Sequence, residues 1–251
     1  VISGAAGFLG SHFCQFMLEA QATVHAWDQD EGQLKELKSK IKDKNLFIRK
    51  IDICHKKSVQ KAVDEMKGCD VFIANAAIAS QNLNSREQSD AEGDSAWARL
   101  MQVNLEGMWI CVSALGKKMI DAKKGGSIVL VSSIYGAMAP DSRIYQDAHY
   151  QSGEIIGTPV SYSTSKGGVI AMARHLAVEW AHHGIIVNSL SPGGVENQQN
   201  ERFKKAYAQR IPIQRMARPS DLRGPLLFLS SSASSYFTGQ NMLVDGGLSA
   251  W

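Results

Sequence analysis

The sequence predicts a doubly wound α/β fold, a parallel sheet of about seven strands with helices on both faces. Three observations carry that expectation. Short apolar runs of β type alternate along the whole chain with segments of helical period. A glycine-rich turn stands between the first such run and the first helical segment. No internal repeat, low-complexity tract or linker interrupts the 251 residues, so a single domain over 1–251 is expected. A hydrophobic content of 44% is ample for a buried core and argues against disorder.

In order, the strand runs are VI, ATVHAW, LFIRKIDI, DVFIAN, GSIVLVSS, GIIVNSLS and NMLVDG. Helical segments fall near 10–21, 31–42, 56–67, 94–121, 161–183, 199–209 and 219–230. Alternation of this kind implies parallel strands joined by right-handed crossovers. The opening strand is cut short at Val1-Ile2, and a few native residues are expected ahead of it.

The first strand runs into SGAAGFLGSHF. Gly4, Gly7 and Gly10 permit a tight turn, close backbone approach to a pyrophosphate and close helix packing, and the helix then aims its N-terminal amides at the phosphates. This is the Rossmann-type arrangement, with Ser3, Gly4, Gly7, Phe8, Leu9 and Gly10 as the expected cofactor contacts. The second strand ends at Asp28, where a carboxylate would accept both adenosine ribose hydroxyls and repel a 2′-phosphate. No arginine or lysine follows immediately, which favours NAD over NADP. Asp28, Asp30 and Glu31 also precede the next helix, so a helix N-terminal acid is the other reading of Asp28. The third strand closes on Asp52 and Ile53, beside the expected adenine pocket. At the end of the fourth, Asn75 can tie neighbouring strands, while Ala76 and Ala77 leave room for the cofactor.

Charge and cysteines narrow the function. A net charge of +3 from 27 basic and 24 acidic residues leaves no electrostatic footprint for nucleic acid. No apolar run is long enough to cross a bilayer. Cys14, Cys54, Cys69 and Cys111 lack metal-ligand spacing and read as buried thiols in a reducing compartment, so a cytoplasmic protein is expected. His182-His183 suits a helix C-terminus better than a metal, and no metal is expected. Trp97, Trp109 and Trp180 read as packing.

The ordered set of the glycine turn, Asp52, NAA at 75–77, VNL at 103–105, VSSIYG at 131–136, YSTSK at 162–166, SPGG at 191–194 and VDGG at 244–247 resembles the short-chain dehydrogenase/reductase family over essentially the full chain. Tyr162 and Lys166, four apart on a helix, share a face. The resemblance implies Asn104, Ser133, Tyr162 and Lys166 as a catalytic tetrad acting on CH-OH. Ser133 would hold the substrate oxygen, and Tyr162 would transfer its proton. Lys166 would lower the phenol's pKa and grip the nicotinamide ribose, and Asn104 would anchor a water for proton exit. Pro192, Gly193 and Val195 would hold the carboxamide, and residues 195–217 would form a mobile lid over a small-molecule substrate. A homodimer or homotetramer built through the helices at 94–121 and 161–183 is also implied.

Two departures stand out. The glycines run G-x-x-G-x-x-G, as in extended members that process nucleotide sugars, although length and the VDGG ending look classical. An insertion of residues 137–160 separates Ser133 from Tyr162, yet one site can span it, because the serine ends a strand and the tyrosine begins the next helix. The insert emerges beside the reacting carbonyl with Tyr135, Met138, Arg143, Tyr145, His149 and Tyr150, whose aromatic, hydroxyl and cationic groups suit a polyhydroxylated or phosphorylated substrate, and Gly194 is a further expected substrate contact. A decorative loop or a subunit contact is the other reading of the insertion. SSIYGAMAPDSRIY, SPGGVENQ and AYAQRIP are similar to a subgroup associated with flagellin modification and nonulosonic sugar pathways, which points to a sugar or amino-sugar derivative. The alternatives are a non-redox sugar-nucleotide epimerase or dehydratase, and a catalytically silent cofactor-binding regulatory protein.

Overall fold

The computed structural model describes residues 1–79 and 94–250. Seven strands form one parallel sheet: β1 (Ile2–Ser3), β2 (Val24–Asp28), β3 (Leu46–Lys50), β4 (Val71–Ala74), β5 (Gly126–Val131), β6 (Ile185–Pro192) and β7 (Asn241–Val244). Their spatial order is β3-β2-β1-β4-β5-β6-β7. Ile2 pairs with Ala26 on one side and with Ile73 on the other, so the order reverses between β1 and β4. Ligands of open α/β sheets bind in the crevice opened by such a reversal, beyond the carboxyl ends of the strands.

The eight α-helices among the described residues are α1 (Phe8–Glu19), α2 (Glu31–Ile41), α3 (Lys56–Asp64), α4 (Asp94–Met101), α5 (Met108–Ala122), α6 (Val160–Trp180), α7 (Glu201–Ala208) and α8 (Arg223–Leu229). They cover both faces of the sheet, and strand periodicity decides which residues they meet. Phe72 and Ala74 of β4, with Ile128 and Leu130 of β5, face α3, α5 and α6. The alternate residues Ile73, Val129 and Val131 face α1, α2 and α8. Two cores thus sandwich the sheet, which is why its strands read as nearly unbroken apolar runs.

Several boundaries differ from the expectation. Helix α1 starts at Phe8 because Gly7, at φ −68° and ψ 172°, is its extended N-cap. Strand β3 stops at Lys50, where Ile51 N–H turns to donate to the Asp28 carbonyl at 2.7 Å. The expected helix at 94–121 divides into α4, a π-helical segment over Gln102–Gly107, and α5. The π turn carries Asn104, whose fully buried amide accepts from Ile78 N–H at 2.8 Å and donates to the Ile78 carbonyl at 2.9 Å. Those bonds reach across to the segment after β4 and help to offset the cost of the wider turn.

Trp180 is buried against Gly116, where a Cβ would lie 2.4 Å from its ring. Trp97 and Trp109, expected to pack, are instead exposed on α4 and α5. Of the four thiols, Cys14 and Cys111 are buried, whereas Cys54 and Cys69 are only partly covered.

Candidate active site

A cleft of about 540 Å³ opens at the switch point. Its floor at one end is the glycine turn. Gly4 has φ +62°, and a Cβ there would lie 2.6 Å from Ala76 Cα, so only glycine fits. A Cβ on Gly10 would lie 1.9 Å from the Gly4 carbonyl oxygen, which makes this glycine the contact that lets α1 sit on the turn. Gly7, Phe8 and Leu9 line the cleft, and the first turn of α1 carries no acidic residue. Unpaired helix N-terminal amides without a competing carboxylate suit a pyrophosphate.

Two expected contacts move behind this wall. Gly10 is spent on packing. Ser3 is buried, and its Oγ accepts from Asn75 N–H at 3.2 Å and Ala76 N–H at 3.3 Å, which joins β1 to the end of β4. Asn75 returns the link by donating from Nδ2 to the Gly4 carbonyl at 3.0 Å. Asn75, Ala76 and Ala77 line the cleft, as do Asp52 and Ile53.

Geometry separates the two readings of Asp28. Asp30 is the N-cap of α2, accepting from Gln33 N–H at 3.0 Å, and Glu31 pairs with Lys35 on the first turn. Asp28 is free of that duty and lines the cleft. Its Oδ2 accepts from Ala6 N–H at 3.0 Å and its Oδ1 from Asp30 N–H at 3.1 Å, which fixes the carboxylate and leaves acceptor capacity on both oxygens.

At the other end, Ser133 terminates β5 and caps a short 3-10 turn over Ile134–Gly136, with its Oγ accepting from Tyr135 N–H at 3.2 Å. Tyr162 and Lys166 lie on the first turns of α6, and all three line the cleft. The two elements are joined by buried contacts. Lys166 Nζ donates to the Val131 carbonyl at 3.0 Å, and Ser132 Oγ donates to the Lys166 carbonyl at 2.7 Å. A Cβ on Gly136 would lie 2.7 Å from the Lys166 carbonyl group. Ser133 is therefore held beside Tyr162 despite the insertion between them.

Burial dominates the ionisation of this group. It pushes the Tyr162 phenol above its ordinary value of 10, with the Ser133 hydrogen bond acting the other way, and it pulls the Lys166 ammonium down to about 8. The expectation that Lys166 depresses Tyr162 is thus not met by the protein's own groups. The ammonium points to Val131 and sits 5.8 Å from the phenol ring centroid. Asn104 enters the site from behind, through its side chain. The Asn104 amide is committed to Ile78 and donates further to Ser165 Oγ at 3.2 Å, so its side chain braces α6 and does not line the cleft.

Pro192, Gly193, Gly194 and Val195 form the far wall. Gly194 N–H donates to the Tyr207 hydroxyl at 2.6 Å, which joins this loop to α7. Tyr135 and Tyr150 face the cleft as expected. Arg143 and Met138 do not. Arg143 is exposed and pairs with Asp141 at 2.8 Å, and Met138 lines a separate small cavity with Ile144 and Leu248. His149 is likewise outside the cleft, its Nδ1 lying 2.9 Å from the Tyr150 carbonyl oxygen. Sequence reasoning passed over Tyr207, Phe203, Thr158 and Gln199, which also line the cleft. Only the helical segment expected near 199–209 and the lid expected over 195–217 hinted at Gln199, Phe203 and Tyr207, and nothing pointed to Thr158.

The fold and the glycine turn define a nucleotide-binding α/β protein. The family model described as enoyl-(acyl carrier protein) reductase matches residues 4–249. A 3-oxoacyl-(acyl-carrier-protein) reductase of Rickettsia typhi is 30% identical over 254 residues, covering 99% of this chain and 95% of the relative. An NADH-dependent L-xylulose reductase of Ambrosiozyma monospora is 33% identical over 240 residues, covering 92% and 81%. The crystal structure of a short chain dehydrogenase from Leptospira borgpetersenii with bound NAD+ superimposes with a TM-score of 0.83 at 29% identity, covering 98% of this chain and 91% of that one. The chain belongs to the short-chain dehydrogenase/reductase family, a family of oxidoreductases that bind a nicotinamide cofactor.

The depressed ammonium has a consequence for stability. Between about 8 and the ordinary lysine value of 10.5, the unfolded chain holds the Lys166 proton and the native state has lost it. This group therefore stabilises the fold progressively as pH rises through that window. In urea denaturation from pH 7.5 to 10, the stability difference between wild type and Lys166→Met should move in favour of the wild type, and a flat difference contradicts the assignment.

Proposed function

We propose that the chain is an NAD(H)-dependent oxidoreductase interconverting a secondary alcohol and a ketone by hydride transfer, acting on a sugar or amino-sugar derivative. The observation that carries this reading is the grouping of Ser133, Tyr162 and Lys166 in the same cleft as the glycine turn. Such a constellation exceeds what a binding module needs.

When bound, the nicotinamide would supply the hydride acceptor or donor and, in its oxidised form, positive charge to the site. The remaining work falls to the chain. Ser133 Oγ hydrogen-bonds the substrate oxygen and fixes it against Tyr162. The raised phenol keeps Tyr162 protonated at neutral pH, ready to donate as a ketone is reduced. In the oxidation direction Tyr162 accepts the hydroxyl proton, which requires added positive charge near the ring. Lys166, held to about 8, can exchange a proton near neutrality behind it. Asn104 and Ser132 act as positioning residues, since one braces α6 and the other fixes the Lys166 backbone.

NAD is favoured over NADP because the adenosine end is lined by Asp28, Gln29, Asp30 and Gln33, with no cation among them. The NAD+ in the Leptospira structure and the NADH dependence of the L-xylulose reductase support the same choice. That relative also supports a carbohydrate substrate. Exposed Trp109 on α5 and Val178 on α6 support a homodimer or homotetramer through these helices. The four free cysteines support a cytoplasmic setting, and no helix among the described residues is long and apolar enough to cross a membrane.

Tyr162→Phe should lower kcat by about 10²–10⁴-fold while leaving NADH binding intact, as read by NADH absorbance and by fluorescence titration. Retained turnover removes the phenol from the chemistry. Asp28→Ala should narrow the preference for NADH over NADPH by roughly tenfold or more, the worth of a charge-assisted hydrogen bond. An unchanged kcat/KM ratio removes Asp28 from the ribose.

A further inference from the structure

We infer that the substrate half of the cleft is built for an uncharged, polyhydroxylated molecule, and that Tyr150 of the insertion is a specificity-determining contact to one of its hydroxyls. This rests on the reading of the cleft as a dehydrogenase site and goes beyond it by fixing the charge of the substrate.

The lining of this half is neutral. Tyr135, Tyr145, Tyr150, Thr158, Gln199 and Tyr207 supply hydroxyl and amide groups, with Ile156, Phe203 and Met216 between them. Among the described residues that line the cleft, the only cation is Lys166, and its Nζ is directed at the Val131 carbonyl. The acids Asp28, Asp30 and Asp52 stand at the other end, around the expected adenosine site.

Cations are plentiful nearby, but each is paired away from the cleft: Arg202 and Arg210 join the segment that carries α7 to the insertion, while Arg143 and Lys204 pair within their own segments. Arg143 and Arg210 both pair with Asp141, Arg202 pairs with Asp147, and Lys204 pairs with Glu196 at 3.1 Å and Glu201 at 2.5 Å. Backbone bonds tighten the same joint. Asn200 N–H donates to the His149 carbonyl at 2.9 Å, and Gln151 N–H donates to the Gln198 carbonyl at 2.9 Å. The insertion is therefore fixed to the expected lid with its charged side chains outside and its phenols inside.

Within the cleft the phenols divide into two kinds. Tyr145 donates to Tyr135 at 2.8 Å, and Tyr207 accepts from Gly194 N–H, so these hydroxyls are largely spent on holding the wall. Tyr150 has no hydrogen-bond partner for its hydroxyl among the described residues, although its backbone is anchored to Glu154 and its bridge to Gln199 pins it in place. Burial raises all four phenols, Tyr207 to about 12, so they remain neutral donors and acceptors. An unpaired phosphate or carboxylate brought here would lose its hydration and meet no opposite charge. A hydroxylated ring or chain instead finds hydrogen-bonding partners beside aromatic faces.

The test is NADH oxidation with four probes: a free ketose, the same ketose carrying a phosphate ester, a keto acid of similar size, and cyclohexanone. The free ketose should exceed its phosphate and the keto acid by at least about a hundredfold in kcat/KM. Tyr150→Phe should cost the ketose roughly threefold to tenfold more than it costs cyclohexanone, the worth of one neutral hydrogen bond. A phosphate or acid used as well as the neutral ketose overturns the inference, as does a Tyr150→Phe loss equal for ketose and cyclohexanone. A chain that binds NADH yet reduces none of the four overturns the dehydrogenase reading instead. The charge inference is then decided by thermal protection in the presence of NADH, which the free ketose must give and its phosphate must not.

Discussion

One buried joint sets the geometry of the reactive end of the molecule. Where β5 ends and α6 begins, Lys166 Nζ holds the Val131 carbonyl, Ser132 Oγ holds the Lys166 carbonyl, and Gly136 lets the two backbones approach. Each bond joins groups almost wholly removed from water, where an unmade hydrogen bond costs about 1–3 kcal/mol and geometry is correspondingly strict. The joint places Ser133 and Tyr162 from two rigid elements, and the insertion over 137–160 is not part of it. That is how a long excursion can be accommodated without moving the reactive groups.

The excursion uses the freedom so gained to build a wall. Its ion pairs with Arg202 of α7 and with Arg210 just after it keep charge away from the cleft, and its phenols and Tyr207 of α7 turn inward onto the cleft. Tyr207 carries the coupling one step further by binding the amide of Gly194, in the loop that follows β6. Substrate wall, α7 and far cleft wall are thereby one connected set of contacts. The segment expected to act as a lid is bonded to the insertion through Asn200, Gln198, Arg202 and Arg210.

Much of this was legible in the sequence, and the exceptions have physical reasons. Alternating strands, the switch point and the glycine turn depend on local rules: period-two burial at Phe72, Ile73 and Ala74, and the need for glycine at Gly4 and Gly10. Ser133, Tyr162 and Lys166 were legible because motif order and i,i+4 spacing place them. The errors lie where a tertiary partner decides. Arg143 looked like a substrate group until Asp141 claimed it, and the Asn104 amide proved to be engaged with the Ile78 backbone and Ser165. Trp109 looked like core, but it falls at the exposed edge of the face that α5 buries. The π segment around Asn104 had no sequence signal, since nothing local in QVNLEG calls for a wider turn and the contact to Ile78 is tertiary.

The central claim is that Ser133 and Tyr162 act as one unit across the insertion, and a double-mutant cycle tests it most directly. With any ketone the wild type reduces, kcat/KM would be measured for Ser133→Ala, Tyr162→Phe and the pair together. If the joint holds both groups on one substrate oxygen, the double variant loses little more than the worse single variant, because residues acting as a unit are strongly non-additive. Losses that simply multiply would mean that the two side chains act independently, and the single site argued from the joint would not stand.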